Sequence, residues 1–301
     1  MQPINREFTF LTSAFPHGAY QSLGANHPEL RPPSIKGQLR WWYDALFSDR
    51  ASEDQLFGGL KNSAPRSKPG PESSRVILRL QELGGPAISK TTFMPHKGQS
   101  GGEKNAIPPG TRYRLSIISR RDGITPELET RLKRTLDAWF LLGAVGQRAN
   151  RGAGSIGCDN APASSADYEA AASAILAHTR LRAVVLTKAY ETERALRFDA
   201  GDFLAAEAFG PSTPFGSAFP RKPSLLKLRA ARIDGALHLV ALWDGRHQAD
   251  LSLREGIETL KNHPKEIGRL LSSAVARLCD SVLGEKTVTH IGKTNTRVDL
   301  T

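Results

Sequence analysis

Cysteine is nearly absent from this 301-residue chain: Cys158 and Cys279 are the only two. They cannot build a disulfide framework or a four-cysteine zinc site, and their spacing fits no CxxC pattern, so a reducing compartment is expected. No stretch approaches the roughly 18 uninterrupted apolar residues of a membrane span. The opening Met-Gln-Pro-Ile-Asn-Arg-Glu-Phe has neither the charged start nor the apolar run of a secretory signal. A cytoplasmic protein with no membrane partner is expected. Also lacking are HExxH or other metal-ligand spacing among the eight histidines, GxSxG, a Walker A loop, and a dinucleotide fingerprint that follows a strand and opens a helix. No metal, cofactor or catalytic residue is therefore expected.

Acidic residues are scarce: 30 Asp and Glu stand against 41 Lys and Arg, a formal charge of +11 and a pI of about 9.9. Such a balance points to a polyanionic partner, with nucleic acid first. Residues 1–160 carry +8 of that charge and 161–301 only +3. The electrostatic footprint is concentrated in the first half.

Two basic, glycine-punctuated segments stand out there, Arg31-Pro-Pro-Ser-Ile-Lys-Gly-Gln-Leu-Arg40 and Gly146-Gln-Arg-Ala-Asn-Arg-Gly-Ala-Gly-Ser155. In the first, the prolines and Ser34 signal a helix start, with the Ser34 hydroxyl placed to cap free N–H groups and the remaining amides forming an anion site. Lys36 and Arg40, four residues apart, share one face, while Ile35, Leu39, Trp42 and Leu46 form the apolar stripe. Trp41 and Tyr43 are the aromatic residues of this helix that could stack on a base. In the second segment, Gly146, Gly152 and Gly154 would let amides approach a phosphate gripped by Arg148 and Arg151, although a helix stop followed by a tight turn explains the glycines equally well.

Alternation predicts a strand at 6–12 and another at 111–119. A helix is expected over 34–47, a strand at 75–80, a helix from Pro126 to Gly143 or Gly146, and a short strand near 153–158. That order is βαββαβ, the ferredoxin-like layout. Residues 58–74 and 84–110 read as polar loops; the latter carries Lys90, His96, Lys97 and Lys104, which could drape over a strand of RNA. Beyond 159 the pattern gives a helix at 166–178, a strand at 181–188, a helix near 200–209 and a helical segment over 251–283. Two strands, 225–233 and 236–243, join at Asp234-Gly235, a hairpin signal. The fold class is α+β, with tandem ferredoxin-like (RRM-like) domains over 1–158 and 159–301.

The run from Glu29 to Trp42, then Leu56-Phe-Gly58, Ile107-Pro-Pro-Gly-Thr111 and Trp139 to Ser155, resembles the RAMP superfamily of CRISPR proteins, most closely the Cmr-type subunits of type III-B effectors. The resemblance covers about the first 158 residues. It implies two ferredoxin-like folds and a subunit that binds crRNA near its 3′ end, and possibly target RNA, beside backbone RAMP subunits. It assigns RNA binding to Arg31, Ser34, Lys36, Gly37, Arg40, Trp41, Lys97, Gly146, Arg148, Arg151, Gly152, Gly154 and Ser155. Gln147-Arg-Ala-Asn150 departs from the more serine- and arginine-rich run of relatives. RAMP subunits that cut target RNA resemble one another in an aspartate after the first strand, whereas residues 13–31 hold none, so no cleavage is expected. The rival within the family is a metal-independent endoribonuclease processing crRNA with His17, His27 or His96; the rival outside it is a scaffold whose basic face meets an acidic protein.

Overall fold

The computed structural model describes residues 1–16, 27–61, 70–120, 123–203, 224 and 226–244. Cys279, His17 and the helical segment expected at 251–283 lie outside them.

The first unit is built from β1 (Ile4–Phe10), α1 (Pro32–Phe47), α2 (Arg50–Phe57), the short pair β2 (Gly59–Lys61) and β3 (Gly70–Glu72), β4 (Val76–Gly84), β5 (Ser89–Thr92), β6 (Glu103–Ala106), β7 (Arg112–Ser119), α3 (Pro126–Leu142) and β8 (Ile156–Gly157). The order β4-β7-β1-β8, antiparallel throughout, is the ferredoxin-like sheet. Alternation does the sorting. Phe8, Phe10, Tyr113, Leu115 and Ile117 turn toward α1 and α3, where Trp42, Leu132, Leu136 and Trp139 meet them. Tyr113 is thus internal and stacks on Phe8, at 5.7 Å between centroids. The open face carries Arg112 and Arg114 clasping Glu7 instead, at 2.8 and 2.6 Å, so it offers no aromatic platform for a base. The helix α3 starts where the sequence marks it, with the Thr125 hydroxyl accepting from the Leu128 amide at 3.3 Å and Pro126 in the first turn.

After α4 (Ser165–Ile175), the second unit runs β9 (Leu181–Tyr190), α5 (Glu193–Phe203), β10 (Lys227–Ile233) and β11 (Ala236–Asp244), in sheet order β10-β11-β9. These are the first three strands of the same arrangement. Asp234 and Gly235 both adopt positive φ, +50° and +79°, as a two-residue hairpin turn requires.

Three expectations are corrected. Residues 84–110 are not a loop: β5 and β6 pair as a hairpin closed by a 3-10 turn over Pro95–Gly101. Residues 58–74 contain the β2–β3 hairpin, preceded by a helix, α2, that the sequence reading left out. The helix expected near 200–209 begins at Glu193, because the Thr192 hydroxyl accepts from the Ala195 amide at 3.2 Å and sets the start. Among the described residues no helix is long and apolar enough to cross a membrane.

Candidate nucleic-acid interface

Leaving α3, the chain turns back beside the end of β1. The Gln147 amide donates to Phe15 at 3.0 Å, the Gly154 amide to Ser13 at 2.9 Å, and the Val145 amide to Gly154 at 2.9 Å. On its other side the same loop lies along β10: the Gly152 amide donates to the Leu228 carbonyl at 3.0 Å, and the Leu228 amide to Asn150 at 3.1 Å. The glycine-rich segment is therefore clamped between the two units.

That clamp explains the glycines without a ligand. Gly146 has φ +94°, and a Cβ there would stand 2.7 to 2.9 Å from the backbone of Phe15 and Pro16; at Gly154, φ +61°, it would collide with the Val145 carbonyl. Gly152, Gly154 and Ser155 are buried. The Ser155 hydroxyl accepts from the Ala230 amide at 2.9 Å and donates to the Gly152 carbonyl at 3.2 Å, so it knits the fold and is closed to RNA. What reaches the surface is the tip, residues 146–151, where the amides of Arg148, Ala149 and Asn150 have no backbone partner among the described residues.

The tip is where charge accumulates. Arg148 is held at φ +59°, its guanidinium against the Met94 sulfur and 5.3 Å from the Phe93 ring. Arg151 donates to the Gly201 carbonyl of α5 at 3.0 Å. Lys104 of β6 reaches Gln147 at 3.1 Å and lies 4.2 Å over Phe93, so the hairpin covers one side of the tip. Neither Arg148 nor Arg151 pairs with a carboxylate among the described residues. Burial disfavours both charges, and Arg148 adds to the cost at Arg151.

His96 sits in this field, its ring so close to Gly201 that a Cβ there would overlap it. Its pKa falls to about 4, through burial first and then the charges of Arg151, Arg148 and Lys97, against which Asp202 acts weakly. The cavity beside it measures only about 10 Å³, too little for a nucleotide. Because the unfolded chain binds a proton near pH 6.5 that the folded chain refuses, stability should decline as pH drops from about 6.5 through about 4. Urea melts of the wild type and His96→Gln across that window check this, and the variant should lose the part of the decline due to His96. Lys97 is exposed in the same turn, and His27 is exposed far from it in sequence.

The α1 segment forms a second cluster. The helix begins at Pro32, with Arg31 and not Ser34 in the N-cap position and no side-chain capping bond among the described residues, which corrects the expected start. No acidic residue stands in the first turn to offset the helix dipole. Arg31 lies 3.9 Å from Glu29. Lys36 is half-buried and faces Arg40 and Arg120; burial, then those two charges, lower its pKa, and no carboxylate pairs with it among the described residues. Arg40 differs from its sequence assignment. Its guanidinium is bound to Glu53 and Asp54, both at 2.8 Å, and to the Gly58 carbonyl, so it anchors α2. Gly37 is exposed, with open space where a Cβ would be. Tyr43 is fully buried, whereas Trp41 is half-buried, edge-on to Trp42 at 5.0 Å.

Sequence reasoning singled out Arg148, Arg151 and Lys97, which the structure gathers around His96, and Lys36 and Gly37, which it sets in a second cluster, with no hydrogen bond or ion pair between the two clusters among the described residues. It missed the residues that hold the tip. Arg197, 2% exposed, pairs with Glu193 one turn earlier and donates to the Thr92 carbonyl at 2.8 Å, while Glu193 accepts from Ser13 at 3.0 and 3.2 Å. Arg229, also buried, donates to Leu142 at 3.3 Å and to the Ala149 carbonyl. The Glu-x-x-x-Arg spacing of 193 and 197 was the available signal.

The chain is 35% identical over 147 residues to CRISPR system Cmr subunit Cmr1-1 of Pyrococcus furiosus; the match spans 44% of this chain and 42% of that protein. Its fold is similar to a crystal structure of Cmr1 from Pyrococcus furiosus in the apo form, with TM-score 0.55, 18% identity, and 81% of this chain and 88% of that chain covered. It is also similar to a chain of the type III-B Cmr-beta complex bound to cognate target RNA, with TM-score 0.50, 11% identity, and 80% and 94% covered. The RAMP superfamily model matches residues 7–157, which include the second half of β1, the whole of α1 and the clamped glycine-rich loop, and the chain belongs to the RAMP superfamily.

Proposed function

We propose that this chain is a non-catalytic RNA-binding subunit of a type III, Cmr-type CRISPR effector ribonucleoprotein acting in the cytoplasm. In that reading it grips the crRNA in its 3′ region, the guide–target duplex, or both, beside backbone RAMP subunits. The observation that carries the proposal is the pair of half-buried guanidinium groups, Arg148 and Arg151, with no carboxylate partner among the described residues. A folded chain bears the cost of desolvating two adjacent cations where an anion is to be met. Phosphates meet that need, and contacts to them position RNA without reading its sequence. The RNA-bound and Cmr1 relatives support the same assignment. Against nuclease chemistry stands His96, neutral at physiological pH and packed on α5.

Denaturing gels of single-stranded RNA incubated with the chain, with magnesium or with chelator, test the non-catalytic part. Intact RNA in both is expected; cleavage that persists in chelator would overturn it.

Gly37 separates folding from binding. A glycine inside a helix costs about 1 kcal/mol relative to alanine, and among the described residues nothing occupies the space beside this one. Gly37→Ala should raise stability by about 0.5–1 kcal/mol in denaturant titrations, yet weaken RNA binding several-fold if a phosphate backbone approaches there. A variant that gains stability and keeps full affinity would remove Gly37 from the interface.

A further inference from the structure

Lys227, the first residue of β10, falls in the strand expected at 225–233 but outside every segment that the sequence assigns to RNA binding and outside the residues that the family match covers. Its ammonium sits 5.1 Å over the ring of Trp41 on α1, at the edge of a cavity of about 130 Å³ shared with Arg180, Trp243 and Asp244, a few waters in size. Among the described residues no acceptor takes a hydrogen bond from it. The carboxylates nearby are occupied by Arg180, which meets Asp44 at 2.9 Å and Asp244 at 3.3 Å. Lys227 is the surplus cation.

Its position is as telling as its charge. The next residue, Leu228, exchanges backbone hydrogen bonds with Asn150 and Gly152 of the glycine-rich loop. Arg229, on the same face of β10 as Lys227, donates to the Ala149 carbonyl and, at 3.3 Å, to the Asn150 side chain. Lys227 therefore stands beside the loop tip while touching α1 through Trp41. It stands between the two basic segments, which share no hydrogen bond or ion pair among the described residues.

The geometry points to Lys227 as a phosphate-binding residue that joins the α1 segment and the glycine-rich tip into one continuous track for single-stranded RNA. This rests on the RNA-binding reading above and deepens it, by adding the second unit to the interface. A compact ammonium on a stem packed along an indole is suited to a single phosphate oxygen.

The track carries a pH signature. Burial first, then Arg229 and Arg180, lower the Lys227 pKa to about 8, against the opposing pull of Asp244; Trp41, from α1, brings no charge. A bound phosphate restores the charged form, so binding takes up a proton and affinity falls as pH rises through about 8. The arginines stay protonated throughout that range.

The test uses the full chain and oligocytidylate, whose bases do not titrate near this pH, with Lys227→Met and Lys227→Arg. Lys227→Met keeps the apolar stem on Trp41; it should bind about tenfold more weakly and lower the slope of log affinity against log salt by about 0.7. Lys227→Arg should retain affinity and lose the decline between about pH 7 and about pH 9. If Lys227→Met does not fold, the pH profile of Lys227→Arg decides alone. Wild-type affinity, slope and pH profile in these variants would overturn the inference, provided that Lys36→Ala with Arg148→Gly weakens binding in the same assay. If that control also binds as the wild type does, the RNA-binding reading itself has failed.

Discussion

A chain carrying Lys36→Ala together with Arg148→Gly is expected to keep its fold and to lose about 100-fold in affinity for single-stranded RNA. Both side chains can be removed without orphaning a carboxylate, since neither has an ion-pair partner among the described residues. Arg148 sits at φ +59°, a region that favours glycine, so the second substitution relieves backbone strain. Arg151 is a poorer choice, because its guanidinium also holds the Gly201 carbonyl and its loss would loosen α5. A hydrogen bond to a charged group is worth about 1.5 kcal/mol or more, and two such losses multiply to roughly two orders of magnitude. The salt slope should fall by about 1.4, at about 0.7 per phosphate contact. Titration of labelled RNA over a salt series, with circular dichroism to verify folding, measures both quantities. Unchanged affinity in a folded double variant would sink the phosphate-track account.

The largest effect on stability is expected at Arg197. Replacing it with alanine leaves Glu193 without its cation, and the Thr92 carbonyl of the covering hairpin without its donor. Breaking such a buried pair from one side costs about 3–5 kcal/mol. The consequence reaches the RNA surface, because Glu193 also accepts from the Ser13 amide and hydroxyl, and the Ser13 carbonyl holds Gly154 of the loop. Arg197→Ala should therefore melt at markedly lower denaturant and bind RNA more weakly. The double variant Glu193→Gln with Arg197→Met, which removes both charges, should recover much of the loss. Denaturant titrations of the single and double variants settle this, and a double variant as unstable as the single one would contradict the ion-pair explanation.

Much of the first unit was legible because its signals are local. The alternation of β1 and β7, the apolar stripes of α1 and α3, and the Asp234-Gly235 turn each speak through residues a few positions apart. The β5–β6 hairpin was not legible, since Ser89–Thr92 and Glu103–Ala106 are polar strands that pair without burying an apolar face. In the candidate site, the charges were visible and their partners were not. Arg40 reads as a free cation until α2 brings Glu53 and Asp54 to it. The glycines read as a phosphate cradle until Phe15, more than a hundred residues earlier, is found against Gly146. Ser155, which the resemblance assigns to RNA binding, turns out to be closed off by β10. Lys227 carries no binding signal beyond its place in the strand expected at 225–233; the structure sets it over Trp41, next to the residue of β10 that bridges to the loop. What depends on long-range closure had to come from the structure.

The central claim is that an uncompensated cationic surface around the glycine-rich tip and α1 binds the phosphates of RNA. The measurement that tests it most directly is the affinity of the purified chain for a labelled single-stranded guide-like RNA between about 50 and about 200 mM salt. The account predicts tight binding with a steep, linear fall of log affinity with log salt. Absence of binding at the low end of that range, or an affinity indifferent to salt, would contradict it.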